Sequence, residues 1–186
     1  MDKPAFFPKV VDVLMDSDCN IPMLQVAGLS SARSQIYVRD CYPMYYDYVM
    51  ALLNGAYGKQ YVIVGGTEDI GKSMFYNWFF HRYRADNPSK TIVCASFTSY
   101  GRACNRCTVF GGSATVEHFT HVPQIRGAMY LFDGPPPEIP LCGQMIVFSM
   151  YSGALNRALQ SFPNHVKLYM PVWSFEELME AAQALG

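Results

Sequence analysis

The eight residues Gly66-Thr67-Glu68-Asp69-Ile70-Gly71-Lys72-Ser73 constrain this chain more than any other stretch. They fit the pattern G-x-x-x-x-G-K-S/T at every fixed position. Directly before them Tyr61–Val64 reads YVIV, a short, wholly apolar run suited to a strand buried on both faces. Directly after them Ser73–Arg84 reads as a helix that stops near Asn87-Pro88. A buried strand passing through a glycine loop into a helix belongs to a parallel sheet covered by crossover helices.

The rest of the chain keeps that rhythm. Tyr42–Leu53 places apolar residues at three- and four-residue spacing and stops at Asn54-Gly55, which predicts a helix. Thr91–Phe97, Ala128–Phe132, Met145–Met150 and His165–Met170 read as further strands, and Gly153–Ser161 as a helix. Ser174–Leu185 reads as a last helix, opened by a capping box of Ser174 with Glu177. Residues 1–36, with Pro4, Pro8, Pro22 and Gly28, read as an N-terminal extension; residues 98–127, broken by Gly101, Gly111, Gly112 and Gly127, read as an irregular insertion. The expectation is one α/β domain over residues 37–186. It is a three-layer sandwich of the P-loop NTPase kind around a mostly parallel central sheet.

Composition removes several alternatives. Half of the 186 residues are hydrophobic (51%) and 16% are charged, so the chain can bury enough apolar surface to fold. Fourteen basic residues against fifteen acidic ones give a net charge of −1, without the basic field that draws proteins onto nucleic acid. No apolar run reaches the roughly 18 residues of a membrane span, and none of the first twenty residues forms the roughly 7–15-residue apolar core of a signal peptide. Neither membrane nor nucleic acid is expected as a partner of this domain. Six cysteines are too dilute for a disulfide scaffold, and Cys94, within TIVCASF, reads as a small buried hydrophobe.

The octapeptide implies a definite chemistry. Glycines at 66 and 71 let the backbone curl so that successive N–H groups, from Thr67 through Ile70 to Ser73, point inward at an anion. Lys72 would reach the β- and γ-phosphates of a nucleotide, and the Ser73 hydroxyl would ligate Mg²⁺. A second acid for the metal is expected at the carboxyl end of a neighbouring strand, and Asp133, closing AMYLFD, stands there. A plain Asp133-Gly134 turn is the blander reading. Lys72 and Asp133 are thus the candidate catalytic residues, while Gly134 stands where an acid that activates water would follow. Ser149 and Ser152, after the next strand, read first as polar strand-end residues, with contact to the γ-phosphate side as the alternative. Glu68 and Asp69 set two carboxylates against a polyphosphate, although Asp69 tolerates the left-handed backbone that such a loop uses.

Cys104-x2-Cys107-x10-His118-x2-His121 has ligands of the right kinds and order for a structural zinc. The ten- and two-residue spacings are both shorter than usual, so unliganded thiols and solvated histidines are the expected state.

Six stretches carry a family resemblance: Val38-Arg39-Asp40-Cys41-Tyr42, YVIVGGTEDIGKS, TIVCASF, AMYLFDGPPP, MIVFSM and LYMPVWSFEELMEAA. In this order, over roughly residues 36–184, the chain resembles the Crinkler effectors of oomycetes and chytrids and the related retrotransposon hot-spot proteins of trypanosomes. The resemblance implies a P-loop NTPase domain of a secreted virulence effector, delivered into host cells and in many cases to the host nucleus. It carries over Gly66, Gly71, Lys72 and Ser73 for phosphate and Mg²⁺, and Asp133 for the metal. The family has Pro-Gly where this chain has Glu68-Asp69, which weighs against turnover. Arg39, Arg126 and Arg157 are arginine-finger candidates by residue type alone, each expected to be a surface or ion-pairing arginine. Neither a helical lid nor a nuclease-like module is expected within these residues.

Two functions follow as expectations. In the first, the domain binds ATP or GTP with Mg²⁺ and hydrolyses it slowly. In the second, a degenerate NTPase fold serves as a host-protein interaction module. Thirteen tyrosines and twelve phenylalanines, with runs such as YYDY and FYNWFF, read first as a tyrosine-rich core; in this second function some of them would supply a partner-binding or self-association surface.

Overall fold

The computed structural model describes residues 8–13, 34–55, 58–97, 104–111, 115–150 and 153–185. In chain order the elements are β1 (Val10–Val13), β2 (Ser34–Tyr37), α1 (Cys41–Asn54), β3 (Tyr61–Gly65), α2 (Lys72–Asp86), β4 (Ile92–Phe97), β5 (Cys104–Gly111), β6 (Thr115–Phe119), β7 (Met129–Asp133), β8 (Gln144–Phe148), α3 (Gly153–Gln160), β9 (His165–Tyr169) and α4 (Phe175–Leu185). Seven strands form one sheet in the order β6-β5-β4-β7-β8-β3-β9. The five from β4 to β9 pair in parallel, and β5 and β6 extend the sheet antiparallel.

Side chains alternate faces along a strand, so a strand covered on both sides must be apolar at every position. That is why YVIV contains no polar residue. Val62, Val64, Cys94, Leu131, Ile146 and Phe148 face α1 and α2, whereas Ile63, Ala95, Tyr130, Phe132 and Val147 face Leu155 and Leu159 of α3. The chain is therefore α/β, with a mostly parallel sheet and helices on both faces.

Much of the aromatic content sits under α2. Phe75, Tyr76, Trp78, Phe79, Phe80 and Tyr83 of this helix are all buried, because it packs both against α1 beside it and against β7 and β8 beneath it rather than presenting a single apolar stripe. Phe75 stands 4.8 Å from Tyr42 and meets Phe148 edge-on at 5.5 Å; Tyr46 meets Phe79 at 4.8 Å. These are offset and edge-to-face ring pairs, which add to plain burial.

Two segments differ from expectation. The stretch over 98–127 is not irregular throughout, since β5 and β6 form a hairpin on β4. Its glycines misled because Gly111, paired with Thr115, ends a strand at the hairpin rather than breaking the fold. Thr108, polar yet fully buried, also interrupts the apolar run that would mark a core strand. The boundary at 36/37 falls inside β2, which pairs antiparallel with β1. Val11 of β1 packs on the α1–α2 side of the core, so part of the N-terminal stretch belongs to the domain.

Among the described residues, no helix is long and apolar enough to cross a membrane. The carboxyl ends of β3, β8 and β7 lie side by side at one end of the sheet, where Gly66 follows β3, Ser149 follows β8 and Asp133 closes β7.

Candidate phosphate and magnesium site

The loop leaves β3 and turns back into α2 at Lys72. Thr67, Glu68 and Asp69 are exposed, while Ile70 is buried beneath them and anchors the loop to the core. Asp69 has φ 55°, the one positive φ among described non-glycine residues, in the left-handed conformation expected of it. Gly71 has φ 93°, a conformation that strains any other residue, and a Cβ there would stand 3.0 Å from the Tyr42 hydroxyl and crowd it. The first helical bond runs from Phe75 N–H to Gly71 O at 2.9 Å. The N–H groups of Lys72, Ser73 and Met74 thus have no carbonyl partner in the helix, the arrangement by which a helix start can attract an anion.

Lys72 Nζ donates to the carbonyls of Gly66 (3.3 Å) and Thr67. Burial lowers its pKa from the usual lysine value, and the carboxylates of Asp133, Asp69 and Glu68 oppose that shift. Ser73 Oγ donates to Asp133 Oδ1 at 3.0 Å. Asp133 is 1% exposed at the end of β7, in register with Ser96 of β4 and Phe148 of β8. Since β8 lies between β3 and β7, loop and acid stand two strands apart, and α2 brings Ser73 across that gap. A hydroxyl beside a buried carboxylate is the hard-oxygen donor set that Mg²⁺ takes alongside phosphate oxygens and water. The residues present fit that ion.

Position 134 has a steric reason for lacking an acid. Gly134 has φ 99°, and a Cβ there would stand 2.4 Å from Phe97 O. Ser149 is buried at the end of β8, with its N–H on Val64 O and its Oγ donating to Met150 O at 2.8 Å. Ser152 lies outside the described residues.

Of the three arginines, Arg39 reaches the loop, but not as a finger. It is 1% exposed; Nε and Nη2 pair bidentately with Glu177 of α4 at 2.9 and 2.8 Å. Nη1 donates to Ile70 O (2.9 Å) and Pro171 O (3.0 Å), Nη2 to Val172 O (3.1 Å), and Trp173 stacks 4.2 Å from the guanidinium. Tyr42 adds a hydrogen bond from its hydroxyl to Gly71 O at 3.0 Å. Two stretches of the family resemblance, VRDCY and MPVWSFEEL, therefore meet at the loop. Ser174 does cap α4, accepting the Glu177 N–H at 3.1 Å, but the Glu177 carboxylate pairs with Arg39. Exposed Arg126 precedes β7 at the sheet edge opposite Asp133, and exposed Arg157 belongs to α3, so neither joins the loop.

The zinc candidates are separated by register. Position 107 pairs with Phe119 and position 118 with Thr108, which puts the two on opposite faces of the hairpin. Cys107 is fully buried; the side chains of Cys104 and His118 lie outside the described residues. Among the described residues, no three of His, Cys, Asp and Glu converge to hold a metal ion.

Compared with family models, with curated proteins and with solved structures, the chain matches none.

Proposed function

We propose that the protein is a P-loop NTPase-like three-layer domain that binds ATP or GTP with Mg²⁺ at residues 66–73 and hydrolyses it slowly. The observation that carries this reading is the Ser73–Asp133 hydrogen bond, which joins the loop helix to a buried acid two strands away. Ser73 and Asp133 would hold the metal, which supplies charge neutralisation at the β- and γ-phosphate oxygens. The free N–H groups of the loop and the start of α2 bind the phosphates. Lys72 exchanges its two carbonyl partners for phosphate oxygens. Catalysis rests on positioning, because no side chain fits at 134 to orient water. A role as a secreted, host-directed effector acting in the host nucleus rests on the family resemblance alone.

Calorimetric titration with Mg–ATP and Mg–GTP tests this reading. Lys72→Ala should weaken binding at least tenfold, or about 1.4 kcal/mol. Equal affinity in wild type and variant would show that the loop is not the site.

A second reading has its own support. Val172 (74% exposed), Phe175 (73%) and Tyr169 (62%) surround the start of α4 and the end of β9, with Leu178 and Met179 also exposed. Such apolar exposure suits a host-protein interface or self-association by a fold that has lost tight nucleotide binding. Failure of the wild type to bind either nucleotide at millimolar concentration would favour it.

A further inference from the structure

A guanidinium removed from water is destabilising unless every donor finds an acceptor. Arg39 meets that condition through three separate segments: the loop at Ile70, the stretch after β9 at Pro171 and Val172, and α4 at Glu177. Its five N–H groups make five hydrogen bonds of 2.8 to 3.1 Å. Nothing remains to serve a ligand directly, so any effect on the site passes through the loop.

The loop end of this arrangement has a directional consequence. A trans peptide is planar, with the C=O of one residue opposed to the N–H of the next. When Arg39 holds Ile70 O, the Gly71 N–H points away from the guanidinium. Tyr42 does the same for the next peptide, since its hydroxyl on Gly71 O fixes the direction of the Lys72 N–H. These are two of the N–H groups available to an anion at the start of α2. The other end rests on α4, a helix with a single buried residue, Ala181, whose attachment depends heavily on Glu177 and on the Tyr37–Glu180 hydrogen bond.

We propose that Arg39 is a positioning residue for phosphate binding, setting the direction of the loop N–H groups and coupling the docking of α4, through Glu177, to the anion affinity of the loop. This rests on the loop being the nucleotide site.

The test uses the full chain with Arg39→Lys and Glu177→Gln, which keep most of the side-chain volume and avoid the cavity an alanine would leave. Leu159→Val, in the core on the opposite sheet face, serves as a control for general destabilisation. Hydrogen exchange of the ligand-free protein is read for the loop at Phe75, whose N–H is held by the loop carbonyl of Gly71, and, for comparison, in β7, and Mg–ATP affinity is read by calorimetry. Both clamp variants should exchange at least tenfold faster at Phe75, stay within twofold of wild type in β7, and bind Mg–ATP at least tenfold more weakly. Leu159→Val should lower the melting temperature and leave loop exchange and affinity as in wild type. Unchanged loop exchange in both clamp variants would overturn the proposal. So would affinity that follows melting temperature across all three variants. If wild type and Lys72→Ala bind Mg–ATP alike, the nucleotide reading falls, and the exchange measurement alone decides whether the clamp sets the loop.

Discussion

Replacing Gly134 with alanine tests whether the residue after Asp133 is barred to any side chain. The backbone there has φ 99°, which costs an L-residue about 1–2 kcal/mol. An alanine Cβ would stand 2.4 Å from Phe97 O, at the end of β4, so backbone must move. The Gly134 N–H donates to Phe148 O at 2.9 Å, so moving away would break a bond to β8. Forcing atoms into a packed interior costs about 1–3 kcal/mol, which brings the sum to roughly 2–5 kcal/mol. At about 2–4 °C per kcal/mol for a chain of this size, the melting temperature should fall by roughly 4–20 °C. Gly127→Ala is the matched control: its φ is 73°, yet nothing lies within 4 Å of its Cβ. It should cost only about 1–2 kcal/mol, partly offset by the lower entropy of the unfolded alanine chain. Thermal unfolding followed by circular dichroism gives both values. Equal shifts for the two variants would refute the steric argument, and position 134 would be open to an acid after all. Gly134→Glu should accordingly lose stability and gain no hydrolysis.

Asp133→Asn keeps an oxygen for Ser73 and should leave the melting temperature within a few degrees while weakening the Mg²⁺ dependence of nucleotide binding; a collapse of the ligand-free fold would make Asp133 a purely structural turn residue. The double change Glu68→Pro and Asp69→Gly removes two exposed carboxylates from the loop and relieves the left-handed strain at 69. It should tighten Mg–ATP binding severalfold at low salt and less at high salt, as screening predicts; no gain at low salt would mean the acids do not oppose phosphate. Burial pushes the Cys94 thiol far above its usual pKa, and Cys107 is likewise buried, whereas Cys142 is half-buried. Among these three, native-state alkylation followed by mass spectrometry should modify Cys142 first, and early labelling of Cys94 would contradict its place in the centre of the sheet.

How legible these features were in the sequence depended on how local their cause is. YVIV, the glycine loop and the helix after it are contiguous, and each element formed within a residue or two of where the pattern put it. Asp133 was legible because a strand buried on both faces ends there, and an acid ending such a strand stands out. The hairpin of β5 and β6 was hidden by buried Thr108 and by glycines that punctuate a strand pair rather than end it. Arg39 was readable as an ion-pairing residue only by type. Its partner Glu177 lies 138 positions away, and no periodicity connects them. Even the capping box, correctly placed at Ser174, gave half its meaning, because the carboxylate that closes such a box locally is held by Arg39.

That long reach bears on the order in which the protein is made. A chain leaving the ribosome has its complete octapeptide once Ser73 has emerged, and Arg39 and Tyr42 are already present. Pro171, Val172 and Glu177, the remaining partners of Arg39, come about a hundred residues later. Bridging 138 positions rather than the 31 between Arg39 and Ile70 adds only about 1.3 kcal/mol of closure entropy, so the delay is set by synthesis rather than by thermodynamics. Until α4 arrives, the nascent protein carries the motif without the buried ion pair that holds its loop. The buried ion pair that holds the loop therefore becomes possible only after every described strand has been synthesised.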